Sequence, residues 1–327
     1  MSPRTKFVRL CAAVGAYVAL WLLIPKASFL PIIVGLADAA MPHVGPDAAN
    51  WLSFSAMCVM ATPTVVFMAV QIAIVYYFAG IRLNAWQALL TLIGSLSLAE
   101  GIIALVVWRF GIAGRIGHYP GFGEQFELAS VYYGPLRIPL TLSLIFAAAS
   151  IGYLVSLRIR DKNLLLPVVL VAACVDFWTV TRGPVSVVLK HAPKVVEAVS
   201  APIPLAGAGA FVPVSTVGPG DFLFMTLVFA VVHKLGMNGP RNYWFVYAAM
   251  TLGMLAVMMG LVPGNVGLPA LVVLAVAVIA ANWKQFKLSR EEKISVAVVA
   301  AILLISIPIV WSVLGPHIKT VPIGGKR

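Results

Sequence analysis

Three carboxylates, Glu100, Asp176 and Asp221, lie within or at the edge of long apolar runs of this sequence. An ionised carboxylate at the centre of a bilayer costs at least about 2.5 kcal/mol, so each of these residues needs a physical reason. One interpretation is a functional group that faces the protein interior or a water-filled cavity. The alternative is a polar contact that fixes helix packing.

Asp176 and Asp221 are placed so that they can act together. They lie near the facing ends of two consecutive apolar runs, which the segment 182–215 joins. At about 1.5 Å per residue both carboxyls are roughly 7–9 Å below the same membrane surface, where side chains on antiparallel helices can meet. Such a pair can hydrolyse a peptide bond: one carboxylate deprotonates water, and the other polarises the carbonyl and then protonates the amine. Low dielectric and like-charge repulsion favour one shared proton.

The residues beside these acids suit an extended peptide. Gly218 and Gly220 flank Pro219 immediately before Asp221; glycine allows close backbone approach, and proline interrupts a regular helix. Pro269-Ala270-Leu271 opens a later apolar run on the same side of the membrane. Proline is common at helix starts in any protein, but three features that share one depth indicate a site.

These motifs resemble those of the presenilin and signal peptide peptidase family of intramembrane aspartyl proteases. Gly218 to Phe224 looks like the family's G-x-G-D motif with its apolar continuation, and Pro269-Ala270-Leu271 looks like its P-A-L motif. Asp176, within Cys-Val-Asp-Phe-Trp, matches the family's other aspartate. The Asp-Phe-Trp run and the segment from Ser200 to Leu205 look more like the signal peptide peptidase branch. The resemblance covers about 165–285.

The resemblance implies a presenilin-like core and an endopeptidase that cleaves transmembrane segments without a metal or other cofactor. It makes Asp176 and Asp221 the catalytic pair and makes Gly218 and Gly220 the residues that shape the helix entrance. Pro269, Ala270 and Leu271 would form a wall that positions substrate. Two features depart from the family pattern: Val175 stands where a tyrosine is usual, and a further apolar run follows the P-A-L span.

Composition excludes an ordinary soluble fold and intrinsic disorder. The chain has 327 residues, of which 61% are hydrophobic and 10% charged, and its mean hydropathy is +0.99.

We expect an all-α polytopic membrane protein that forms one domain over 1–327. Within it, 1–160 would be scaffold helices, 164–285 the catalytic helices and 294–314 an additional C-terminal span. Segment 27–41, interrupted by prolines, is expected to be a surface or re-entrant element, with a short tenth element left open. The nine predicted spans are 8–24, 55–79, 84–108, 137–157, 164–181, 216–235, 242–262, 267–283 and 294–314.

Charge predicts the orientation of these spans. The net charge is +12, and 13 basic residues lie in short segments that would share the side of the N-terminus. These are Arg4, Lys6, Arg9, Arg82, Arg158, Arg160, Lys162, Lys234, Arg241, Lys284, Lys287, Arg290 and Lys293. The positive-inside rule then predicts the N-terminus inside and the 182–215 loop outside, and the lack of long loops suggests a multi-pass protein of a prokaryotic cytoplasmic membrane. The expected partners are the lipid bilayer and transmembrane peptides of type II proteins or leftover signal peptides, not nucleic acid, and self-association is left open.

Other functions also use buried carboxylates. A proton-coupled transporter would explain Glu100 as readily as the two aspartates, although it does not explain why the motifs share a depth. A type IV prepilin peptidase-like enzyme also has a G-x-G-D motif, but its aspartates lie on the cytoplasmic side. A non-enzymatic assembly factor or receptor remains open if the pair is only structural. The histidines lack the spacing of a zinc protease, and no serine-hydrolase motif occurs.

Overall fold

The computed structural model describes residues 3–27, 46–109, 135–181, 193–204, 213–258 and 269–287, together with isolated positions between and after these ranges. This part of the protein is mostly helical. The elements, in chain order, are α1 (Pro3–Leu23), α2 (Pro46–Ala79), α3 (Ala85–Arg109), α4 (Arg137–Ser156), α5 (Leu165–Thr181), α6 (Pro193–Val199), β1 (Ala201–Pro204), β2 (Pro213–Val217), α7 (Pro219–Lys234), α8 (Gly239–Met258) and α9 (Ala270–Asn282).

The expected architecture of apolar helices is confirmed, with five candidate spans rather than nine among the described residues. The five helical segments that are long and apolar enough to cross a membrane are Arg4–Lys26, Ala61–Ala79, Ala85–Arg109, Arg137–Ser156 and Lys162–Val180. The next three predicted spans also form helices, α7 to α9, of which α9 is a shorter apolar helix of 13 residues. Segments 27–41 and 294–314 lie outside the described residues except at isolated positions.

Helix α3 shows the surface expected of a helix in lipid. Leu90 and Ile93 are about half exposed, at 51% and 52%, although α3 packs closely against α4 on its other side. Trp86 and Trp108 lie near its two ends and are also exposed. At about 1.5 Å per residue the two indoles are roughly 33 Å apart, close to the thickness of the hydrocarbon core. Tryptophans at both ends of a span are typical of the membrane interfaces.

The prediction of an all-α fold is wrong at one place, because a two-stranded antiparallel hairpin precedes α7. Strands β1 and β2 pair with an irregularity between Ile203 and Pro204. The prolines at 202, 204 and 213 cannot donate helical hydrogen bonds, and the β-branched residues among them favour extended backbone. The predicted span 216–235 is therefore too long at its start: Thr216 and Val217 belong to β2, and the helix begins at Pro219.

Helix α7 lies at the centre of the bundle. It contacts α4, α2, α8 and α9, and a helix surrounded by others is expected to be apolar on all sides rather than along one stripe. Nine of its residues are buried: Phe222, Met225, Thr226, Leu227, Val228, Phe229, Ala230, Val231 and Val232. The position of Asp221 is therefore fixed by packing along most of the helix that carries it.

A glycine sets the contact between α4 and α7. A Cβ atom added at Gly152 would overlap the backbone carbonyl oxygen of Leu223, which cannot move independently of α7. Gly152 therefore allows the two backbones to approach closely. Leu223 is only two residues from Asp221, so this contact also sets where the start of α7 lies.

Buried amides join α8 to α9. Asn242 donates from Nδ2 to Oδ1 of Asn282 at 2.9 Å, and Asn282 donates in return to Oδ1 of Asn242 at 2.6 Å. Both side chains are fully buried. Such reciprocal bonds fix the register of the two helices, because a shift would leave polar groups unpaired.

Several connectors meet at one end of the bundle, which we call the basic end. The Lys6 ammonium donates to the carbonyl of Gly80 at 2.9 Å, which joins the start of α1 to the end of α2. Lys234, at the end of α7, donates to the carbonyls of Leu157 and Ile159 after α4, at 3.0 and 2.9 Å. The connectors that the charge pattern placed together therefore lie together, while their cytoplasmic location stays a prediction.

Candidate active site

Asp176 lies in α5 and caps a different helix. Its Oδ2 atom accepts a hydrogen bond of 2.9 Å from the backbone N–H of Leu271. Leu271 is the second residue of α9, directly after Ala270 and the N-cap residue Pro269. The first N–H groups of a helix have no partner inside the helix and favour negative charge. The half-buried Asp176 carboxyl thus holds the start of the Pro-Ala-Leu helix against α5.

Asp221 lies in the first turn of α7 and bonds back to the residue that starts it. Its Oδ2 atom accepts a hydrogen bond of 3.1 Å from the backbone N–H of Gly218, and its own N–H donates to the Gly218 carbonyl, also at 3.1 Å. Gly218 has extended backbone (φ −70°, ψ 154°), and Pro219 follows at the first helical position. A carboxylate in the first turn is favourable there.

The two carboxyls are close enough for electrostatic repulsion between them when both are charged. Helix α5 packs chiefly on α9, which also contacts α7. The sequence had suggested a direct meeting of the two aspartate helices, whereas the structure places α9 beside both of them. The start of α9, which is hydrogen-bonded to Asp176, therefore belongs to the surroundings of the two aspartates.

The depths of the three features agree. Asp176 lies 11 residues beyond the start of α5 at Leu165, and Leu271 lies 11 residues before the end of α9 at Asn282. Asp221 lies 13 residues before Lys234 at the end of α7. At about 1.5 Å per residue, all three are roughly 16–20 Å from the basic end.

Space for a ligand remains beside Asp221. Gly220 is exposed, and a Cβ added there would have no atom within 4 Å. A Cβ added at Gly218 would be 3.5 Å from Oδ2 of Asp221, an ordinary contact. Pro269 and Ala270 are half-buried. Each aspartate uses Oδ2 for a backbone N–H, and no hydrogen bond from the described residues reaches either Oδ1, which leaves these atoms for water or a peptide group.

Glu100 does not belong to this group. It is exposed on α3, a helix that packs chiefly against α4 rather than against α5 or α9. Its apolar surroundings in the sequence therefore reflect a position on the outer surface of the bundle.

Sequence reasoning missed two residues that support the site. One is Leu271 as a backbone donor, for which the proline two positions earlier was the available signal of a helix start. The other is Arg137, which is fully buried and donates from Nη2 to the carbonyls of Glu197 and Ser200 at 2.7 and 3.3 Å. Arg137 thereby holds the end of α6 and the start of β1 against α4.

Comparison with protein-family models, curated proteins and solved structures finds no match to this chain. The two aspartates and the motifs around them are therefore the features that indicate a function.

Proposed function

We propose that this protein is an intramembrane aspartic endopeptidase in which Asp176 and Asp221 form the acid–base pair. The observation that carries the proposal is the Asp176–Leu271 hydrogen bond, because it joins one aspartate to the Pro-Ala-Leu segment, whose helix also contacts the helix of Asp221. An aspartate that only stabilised the fold would not need a second aspartate at the same depth in the membrane. The proposal includes a presenilin-like core and nine spans.

The proposed reaction uses one proton shared by the pair. The ionised carboxylate takes a proton from water as the water oxygen bonds to the peptide carbonyl carbon, and the protonated partner donates to the carbonyl oxygen. When the C–N bond breaks, a proton passes to the amine nitrogen. The backbone N–H groups of Leu271 and Gly218 hold one oxygen of each carboxyl in place, so that little reorganisation is needed during reaction.

The hairpin supports an extended substrate. Strand β2 leads directly into Gly218 and Asp221. Strand β1 is buried at all four residues and contacts α2 and α4, which favours β2 as the edge that receives another strand. A peptide that pairs with β2 would reach the aspartates with its backbone extended. A helical substrate must unwind locally for this, because its carbonyls are otherwise engaged within the helix.

The proposed substrates follow from orientation. If the basic end faces the cytoplasm, the aspartates lie toward the outer half of the membrane, and substrates have the N-in, C-out orientation of type II proteins or leftover signal peptides.

Cleavage in H₂¹⁸O tests this function. Purified protein is incubated in detergent with a labelled type II transmembrane peptide, and the products are weighed by mass spectrometry. Direct attack by water predicts two fragments, with one ¹⁸O atom in the new carboxyl terminus. Intact peptide after prolonged incubation with folded protein in several detergents and lipids would count against the proposal, and substrate-driven proton uptake in liposomes would then favour a transporter.

A further inference from the structure

A cavity lies at the basic end of the bundle, at the opposite end of α7 from Asp221. It has a volume of about 420 Å³ and is lined by the start of α1, the end of α2 and the α7–α8 connection. An adjoining cavity of about 390 Å³ shares Lys6, Gly80, Arg82 and His233 with it. We call the two together the basic cavity. Asp221 is roughly 14–20 Å along α7 from the residues of that helix that line it, Ala230, His233 and Lys234, so the basic cavity is separate from the proposed active site.

The basic cavity carries positive charge that its lining does not balance. Lys6, Arg9, Arg82 and Lys234 line it, and none of the described lining residues is acidic. Lys6 and Arg82 are close enough to repel each other. The hydrogen-bond partners of Lys6 and Lys234 are backbone carbonyls at helix ends, which carry only partial negative charge. Several cations around one concavity favour an anion within it.

Its surfaces also supply hydrogen-bonding and apolar groups. The Nε2 atom of His233 is buried and has no hydrogen-bond partner within the described part of the chain. The ring of His233 lies 4.8 Å from that of Tyr76, and Tyr77 extends this aromatic wall. A Cβ at Gly80 would be 3.2 Å from His233 Nε2 and 3.1 Å from Lys6 Cδ. Glycine at position 80 therefore keeps the space between Lys6 and His233 open.

We propose that the basic cavity binds a phosphate ester. Arginine presents planar, forked donors that match phosphate oxygens, and both Arg9 and Arg82 are exposed and reach the cavity from different segments. The aromatic wall suits the organic part of the ester. Two sources share this chemistry: the headgroup of an anionic phospholipid, which would lie at this level of a membrane, and a free phosphate ester. The inference goes beyond peptidase activity and does not depend on it.

The test measures ligand binding by the full-length protein and uses no activity. Native mass spectrometry in detergent follows titration with short-chain phosphatidylglycerol, with phosphatidylcholine of the same chain length, and with glycerol phosphate. The variant is Arg9→Gln with Arg82→Gln. The matched control is Arg160→Gln with Lys284→Gln, which removes two exposed charges outside the lining of the basic cavity. Thermal denaturation confirms that both variants fold.

We expect saturable binding of one phosphatidylglycerol per chain and weak binding of phosphatidylcholine. The Arg9/Arg82 variant should bind about thirtyfold more weakly, or five- to sixfold for each arginine, and the control should change less than about twofold. Glycerol phosphate binding with the same arginine dependence would support the proposal and identify a free ester as sufficient, whereas binding of the lipid alone would identify a headgroup. Failure of both anionic probes to saturate, or equal weakening in the control, would overturn the proposal.

Discussion

The backbone N–H of Leu271 donates a hydrogen bond of 2.9 Å to the carboxyl of Asp176. This bond gives Asp176 two separable roles, as a cap for α9 and as half of the proposed acid–base pair. It also explains physically why a Pro-Ala-Leu segment and an aspartate 95 residues apart in sequence can belong to one site.

The two roles of Asp176 predict different responses to two substitutions. Asp176→Asn keeps an oxygen that can accept from Leu271, whereas Asp176→Ala removes the cap. We expect Asp176→Ala to be less stable than Asp176→Asn by about 0.5–2 kcal/mol, the usual effect of losing a cap, while both lose peptide cleavage. Thermal or chemical denaturation in detergent measures the difference. Equal stability of the two variants would show that the hydrogen bond contributes nothing to the fold.

The contact between Gly152 and Leu223 predicts that a substitution on α4, away from the aspartates, lowers activity by a steric effect. Gly152→Ala places a methyl group against the backbone of α7, and such overpacking costs about 1–3 kcal/mol. Because Asp221 lies only two residues before Leu223, the shift should reach it, and cleavage should fall together with stability.

Gly94→Ala is the matched control for this experiment. Gly94 is exposed on α3, and a Cβ there would meet nothing within 4 Å. We expect unchanged cleavage and equal or higher stability, by up to about 1 kcal/mol, since alanine is the better helix former. Similar losses from both substitutions would contradict close packing as the cause.

The hydrogen bonds of Arg137 predict that peptide cleavage depends on how firmly the segment before β1 is held. Arg137→Met keeps most of the side-chain volume but removes the donors to Glu197 and Ser200. An unpaired buried carbonyl costs about 1–3 kcal/mol, and this applies to that of the buried Ser200, so the connection from α6 to β1 should loosen. We expect faster limited proteolysis between α5 and β2 and a higher KM for peptide cleavage. Arg160→Gln, on the exposed surface, should leave both unchanged. An unaltered proteolysis pattern in Arg137→Met would contradict this role.

The sequence identified the local features of the fold more completely than the contacts between distant segments. Apolar runs long enough to cross a membrane predicted the helices, although the predicted spans 216–235 and 267–283 each began three residues before the helix itself. The hairpin was not predicted, because its proline-rich strands lack the alternating pattern that signals a strand, and their pairing joins segments separated by a connection outside the described residues.

Three further features become evident only in the folded structure. The donor to Asp176 is a backbone N–H, which every residue except proline possesses. Arg137 stands at the edge of an apolar run, where a basic side chain usually reaches toward the membrane surface, yet it is fully buried. The basic cavity joins residues from α1, α2, α4, α7 and α8 and from the connections between them, and only the folded arrangement shows that the charges share one space.

The most direct test of the central claim compares cleavage of a type II transmembrane peptide by the native protein with that by Asp176→Asn and Asp221→Asn. Glu100→Gln serves as the control, because it neutralises an exposed carboxyl outside the pair. We predict that each aspartate substitution lowers kcat/KM by about 10²–10⁴-fold without unfolding the protein and that the control changes it little. Cleavage that persists in either aspartate variant at a rate close to that of the native protein would contradict the two-aspartate mechanism.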